Sequence, residues 1–208
     1  MEYKSFKRMF DIFFSSFAIL LSLPLMVIIA FAIKLTDKGP ILFKQKRPGL
    51  NGRDFYLYKF RTMYVNNEEI LQKYLESNPQ AREEWRKYRK LKGYDPRVTP
   101  IGRILRKFSL DELPQFFNVL KGDMSVVGPR PYLWKEFEDY NVPEKVIKKL
   151  LSVKPGITGL WQIEARNEAT FEERIRMDLE YIDKQSFLLD LKIVLKTIWV
   201  MLTGKGAY

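Results

Sequence analysis

Residues 12–33, IFFSSFAILLSLPLMVIIAFAI, form an uncharged run of 22 residues. A straight helix of that length measures about 33 Å, close to the hydrocarbon thickness of a bilayer. The flanks argue against a simple crossing. Lys4, Lys7 and Arg8 precede the run, and Lys34, Lys38, Lys44, Lys46 and Arg47 follow it. Positive charge stays on the cytoplasmic side, so a spanning helix should be basic at one end only. Pro24, near the middle, removes a backbone donor and crowds the preceding turn, while Ser22 supplies a hydroxyl that can satisfy a freed carbonyl. This pattern predicts a re-entrant helix broken at Ser22-Leu23-Pro24, with arms of about 18 Å that return to one face. The residues leave two alternatives open: a proline-kinked spanning helix, and a secretory signal cut after Ala30-Phe31-Ala32. The run is longer than the ~7–15 apolar residues of an ordinary signal.

The remaining chain is long enough for one compact domain. Its 36 Lys and Arg against 25 Asp and Glu leave a net charge of +11, which suits anionic partners such as phospholipid headgroups, nucleotides or nucleic acid. It has neither Cys nor His. Ser-His and Cys-His catalysis and an ordinary zinc centre are therefore excluded. What remains are carboxylates, Lys, Tyr, Arg and hydroxyls, with room for a hard metal ion.

Two segments are expected: residues 1–38, the membrane helix and its basic flanks, and residues 39–208, a cytoplasmic catalytic domain with interfacial helices. The fold class is α+β, mostly helical, with a small β-hairpin. ILFKQK and DFYLYKFR read as strands joined through Pro48-Gly49 and Asn51-Gly52. Alternation puts Phe55, Leu57, Lys59 and Arg61 on one face of the second strand. Lys59 and Arg61 either line an anionic site or form an exposed basic edge. Residues 66–92 read as a solvated helical pair, and their interleaved glutamates argue against nucleic-acid binding. Residues 110–120, 143–152 and 187–202 are further helices. The last is interrupted by Asp190, Lys192 and Lys196, so it packs as a core helix or lies in the interface.

Three stretches carry the chemistry: SLDELPQ (109–115), GPRP (128–131) and KPGITGLWQ (154–162). Asp111 and Glu112 open a short helix. They are either a helix cap, with Ser109 and Glu112 forming a capping box, or a carboxylate dyad in which the helix start keeps Asp111 ionised. A carboxylate that attacks a diphosphate needs cations around it. Arg103, Arg106, Lys107 and Arg130 lie nearby in sequence, with prolines restraining Arg130 on both sides.

LFKQKRPGLNG, YKFRTM, DPRVTPIGRILRKFSLDELPQFFNVLKGDMSVVGPRP and KPGITGLWQ, in that order, strongly resemble the bacterial sugar transferase family, monotopic phosphoglycosyl transferases. The resemblance covers nearly the whole chain. It implies transfer of sugar 1-phosphate from a UDP-sugar to undecaprenyl phosphate at the cytoplasmic face of the bacterial inner membrane. UMP is released through a covalent phosphosugar-enzyme intermediate, with Mg²⁺ as cofactor. Asp111 matches the family nucleophile and Glu112 its partner, both as metal ligands. Lys59, Arg106 and Arg130 match basic residues of the family site, and Gln162, Arg166 and Asn167 match polar residues that follow. Glu164-Ala165 stands where the family often has a small residue and Gly. The 66–92 insertion and DPRVT resemble hexose-type members, which favours galactose or glucose. Anionic lipid is an expected partner, nucleic acid is not, and a homodimer is allowed. The competing functions are a glycosyltransferase releasing UDP and a non-enzymatic membrane scaffold.

Overall fold

The computed structural model describes residues 3–88, 91, 93–164 and 169–203. The apolar run lies within one long helix, α1 (Tyr3–Thr36). Among the described residues, this helix alone is long and apolar enough to cross a membrane. Helix is maintained through Ser22-Leu23-Pro24, so the expected break is not a loss of helical structure. Pro24 leaves the Leu20 carbonyl without its usual donor. The Ser22 hydroxyl donates to the Ala18 carbonyl at 2.6 Å, a back-bond of the kind that favours bending of a helix at this turn. Docking at both ends holds α1. Lys7, Arg8 and Asp11 bond the rest of the chain near the N-terminus, and Met26, Ile29 and Ile33 are buried near the C-terminus. The opposite stripe, with Phe13, Phe17, Leu20, Leu21, Val27, Ile28, Phe31 and Leu35, is exposed.

The hairpin forms as the alternation predicts. Strand β1 (Leu42–Pro48) pairs antiparallel with β2 (Asp54–Phe60), and the register sets Phe43 opposite Lys59 and Arg47 opposite Phe55. Asn51 and Gly52 both take positive φ in the turn. Next come α2 (Asn67–Ser77) and α3 (Pro79–Tyr88), the expected solvated pair. Helix α4 (Pro100–Lys107) begins with Pro in its first turn, and the Thr99 hydroxyl accepts the Gly102 N–H at 2.9 Å. A 3₁₀ turn (Leu110–Glu112) precedes α5 (Gln115–Lys121), which ends at Gly122 with φ 91°.

Strand β3 (Ser125–Val127) pairs in parallel with β4 (Gly156–Thr158), a pairing absent from the sequence reading. Between them lie α6 (Trp134–Asp139) and α7 (Glu144–Leu150). After them come α8 (Leu160–Glu164), α9 (Phe171–Lys184) and α10 (Phe187–Thr203). The parallel pair brings the GPRP and KPGITG stretches into backbone contact. A Cβ on Gly156 would overlap Gly128, and one on Gly128 would press on Lys154 and Gly156, so only glycine fits this crossing.

Burial follows from these pairings. Phe55 and Leu57 of β2 enter the main core with Val119, Met124, Val126, Val127, Leu160, Ile163, Tyr181, Ile193 and Val194. Phe60, on the other face, joins Leu105 and the buried stripe of α1. Helix α10 packs as a core helix on one face and leaves the other exposed. Asp190, Ile193 and Val194 are buried, whereas Leu188, Leu195, Ile198 and Trp199 are exposed.

Candidate active site

Asp111 and Glu112 sit in the 3₁₀ turn rather than in the first turn of a helix. Ser109, before it, takes a left-handed φ of 55°. Leu110 and Leu113 pack against the core cluster around Phe60 and Leu105, which leaves the two carboxylates between them on the other side of the turn. Neither capping alternative is realised. Ser109 makes no side-chain cap bond to the 3₁₀ turn, and no side chain caps α5, whose N-cap is Pro114.

Asp111 does not gain the lowered pKa that a helix start would give. Burial, and then the adjacent Glu112 charge, push its pKa up to about 6, with Lys59 and Arg106 opposing. The cause is the 3₁₀ turn: the dipole of a single short turn is too small to offset burial beside a like charge. Lys59 Nζ lies 2.6 Å from Glu112 Oε1. Arg106 donates from Nε to Thr62 Oγ1 at 3.0 Å and lowers the Asp111 pKa through its charge. Lys59, Arg106 and the dyad are thus brought together.

Arg61 is not. Just past the end of β2, it turns to Asp37 after α1, with Nη1 2.6 Å from Oδ2 and Nε donating to the Pro40 carbonyl at 2.6 Å. It ties the end of α1 to the hairpin. Arg103 lies over the Tyr94 ring and Lys107 over Phe108.

Arg130 belongs to a second group of charges beside the dyad. Its N–H is the only donor between Pro129 and Pro131, and Asp178 Oδ2 accepts it at 2.9 Å. Tyr132 donates to the same oxygen at 2.8 Å. Burial pushes Asp178 up to about 7 despite these bonds. Arg130 Nη2 reaches Glu136 Oε1 at 3.1 Å. Arg47, which the sequence reading counted only as flanking charge, completes the group. It donates to the Pro131 carbonyl at 2.8 Å and to Gln45 at 2.7 Å, and lies 3.6 Å from Glu136. Burial and Arg130 push its pKa down to about 10, while Glu136 and Glu112 oppose. The Arg47 charge is therefore felt by both Arg130 and Glu112. The hairpin register could have revealed it, because Arg47 opposite Phe55 shares a sheet face with Lys59.

Gln162 is in α8, with Oε1 buried and without a partner among the described residues. Arg166 and Asn167 lie outside the described residues.

Among the described residues, no group of three or more acidic side chains could hold a metal ion. Mg²⁺ needs fewer, because it retains water and takes one or two carboxylates together with substrate phosphate. Asp111 and Glu112 fit that requirement. They offer adjacent hard oxygens, and their mutual repulsion raises Asp111, a strain that a cation would relieve.

Residues 2–204 match the family model described as bacterial sugar transferase. The exopolysaccharide production protein ExoY of Rhizobium meliloti is 44% identical over 202 residues, covering 97% of this chain and 88% of that protein. The undecaprenyl-phosphate galactose phosphotransferase of Salmonella typhimurium is 44% identical over 97% of this chain, but only 41% of its own length is matched. The UDP-glucose:undecaprenyl-phosphate glucose-1-phosphate transferase of Klebsiella pneumoniae is 41% identical over 98% of this chain and 41% of its own. With dyad, arginine loop and glycine crossing all inside the matched span, the chain belongs to the bacterial sugar transferase family.

Proposed function

We propose that the protein transfers hexose 1-phosphate from a UDP-sugar to undecaprenyl phosphate through a covalent intermediate on Asp111. The observation that carries this reading is the environment of the dyad. Asp111 serves no cap and lies beside Glu112 within the fields of Lys59 and Arg106. A carboxylate so placed can attack phosphorus, because the cations offset the repulsion between two anions. The relatives' names supply the substrates, an undecaprenyl-phosphate carrier with galactose or glucose as the sugar.

In the first step an Asp111 carboxylate oxygen bonds the sugar-bearing phosphorus as its bond to the bridging oxygen breaks, and that oxygen leaves with UMP. In the second, a phosphate oxygen of undecaprenyl phosphate attacks the same phosphorus. The aspartyl bond breaks, releasing the lipid diphosphate-sugar and restoring Asp111. Mg²⁺, held by Asp111 and Glu112, would neutralise phosphate charge. Lys59 holds Glu112 in place, and Arg106 and Arg130 supply positive charge toward the diphosphate.

The lipid substrate calls for a membrane-bound enzyme, and we assign α1 as a re-entrant anchor in the bacterial inner membrane, with the catalytic domain on the cytoplasmic face. Docking of both ends of α1 on one body supports this, since a straight crossing would carry one end away. The basic flanks and the exposed apolar stripe agree with it.

The test is to incubate the enzyme with UDP-galactose or UDP-glucose and Mg²⁺, without lipid. UMP release and a hexose-phosphate mass gain on the Asp111 peptide are expected. UMP only after lipid addition, with no adduct ever trapped, would favour direct displacement, and UDP release would identify an ordinary glycosyltransferase.

A further inference from the structure

Helix α9 carries a second cation toward the Arg130 loop. Arg174 and Asp178 are one turn apart on the same face. Asp178, fully buried, holds the Arg130 N–H and the Tyr132 hydroxyl. Arg174 lies over the Trp161 ring, 4.9 Å from its centroid, and Arg130 lies 5.8 Å from the same centroid. One aromatic ring therefore positions two guanidiniums. Glu136 pairs with Arg47 and Arg130. Among the described residues, the donors Arg174 Nε, Arg47 Nε and Trp161 Nε1 are buried with no hydrogen-bond partner, as are the acceptors Gln162 Oε1 and Asp178 Oδ1. Buried donors without acceptors carry a desolvation cost that an anionic ligand would remove.

We propose that Arg174 is a second phosphate-binding residue of this site, held with Arg130 on the Trp161 ring so that two guanidiniums meet one phosphoanion. This rests on the phosphosugar-transfer reading. A planar guanidinium matches phosphate oxygens through paired N–H donors, and stacking on Trp161 fixes its plane before the ligand arrives. The anion is the diphosphate of the nucleotide sugar or the phosphate of the lipid acceptor. Both present the same oxygens, and the two half-reactions separate them.

The experiment uses the full chain in detergent, as wild type, Arg174→Gln and Arg174→Lys. UDP affinity is measured by calorimetry, KM for UDP-sugar and for undecaprenyl phosphate by turnover, and the lipid-free UMP burst by rapid quench. Arg174→Gln should weaken one of these interactions by about 10- to 100-fold, the range of a lost charged hydrogen bond. Arg174→Lys, which keeps the charge but loses the planar paired donors, should recover only part of that loss. Weaker UDP binding and a raised donor KM assign Arg174 to the nucleotide sugar. A raised acceptor KM with an unchanged burst assigns it to the lipid. If UDP affinity, both KM values and the burst in Arg174→Gln all stay within about threefold of wild type, the proposal is overturned. It is also overturned if the Lys variant is as impaired as the Gln variant and both melt early, since Arg174 is then structural. A wild type that binds UDP but releases no UMP refutes the transferase reading while leaving the UDP arm to judge Arg174.

Discussion

Replacing the proposed nucleophile should make the protein more stable. Asp111 has its pKa raised to about 6 by burial and by Glu112. An unfolded aspartate titrates near ~3.9. At pH 8 the carboxylate is charged in both states, so folding works against a gap of about two pKa units, or about 3 kcal/mol. Asp111 is only partly buried, and solvent screening trims the expected gain to about 1–2 kcal/mol. Asn has nearly the same shape and no charge, so Asp111→Asn should recover that amount. For a chain of this size the gain is a rise in Tm of about 2–8 °C. The sign follows from proton binding. The folded state holds the Asp111 proton more tightly, so this group's contribution to stability falls as pH rises from ~4 to ~6. The advantage of Asp111→Asn should therefore be largest at pH 8 and about half as large at pH 5. The assay is thermal melting of wild type and variant in detergent with EDTA at both pH values. A variant no more stable than wild type at pH 8, or an advantage that does not shrink at pH 5, would refute the electrostatic account. The same variant should form no adduct.

Lys59→Ala should cut turnover by roughly 10²–10³, the usual loss for one charge-stabilising contact, with little change in Tm, because its ion pair is partly exposed; activity within a few-fold of wild type would remove it from the site. Arg61→Ala should do the opposite. Losing the buried guanidinium's bonds to Asp37 and Pro40 should cost about 1.5–3 kcal/mol of stability while the folded fraction keeps near-normal kcat, as melting and active-site-titrated kinetics would show. Lys4→Cys and Lys38→Cys, at exposed positions flanking the apolar run, should both react with an impermeant thiol reagent from the cytoplasmic side only; labelling from opposite sides would establish a spanning helix. Turnover should fall on the acid side as Asp111 is protonated, with the acid limb below the metal-free pKa of about 6 because Mg²⁺ favours the carboxylate; a limb that does not move with Mg²⁺ concentration would contradict that placement.

Local patterns were legible without coordinates. Alternation over residues 41–61, with Pro-Gly and Asn-Gly between the halves, specifies a hairpin because side-chain direction along a strand has period two. The charged 66–92 stretch specifies a solvated helical pair, since it has little to bury. The absence of Cys and His confined catalysis to carboxylates and cations before any site was located. The conformation of Asp111-Glu112 was not legible, because capping and dyad readings call for the same residues; only the left-handed Ser109 and the 3₁₀ turn separate them. Docking of the second half of α1 was likewise a tertiary outcome, set by burial of Met26, Ile29 and Ile33 against Phe60 and Leu105. Arg47 and Arg174 entered the site through long-range pairing. Strand register put Arg47 on the face of Lys59, and packing against Trp161 brought Arg174 toward Arg130. Sequence spacing encodes direction within one element, whereas which elements meet depends on burying their apolar faces together, and these cations converge only after that burial.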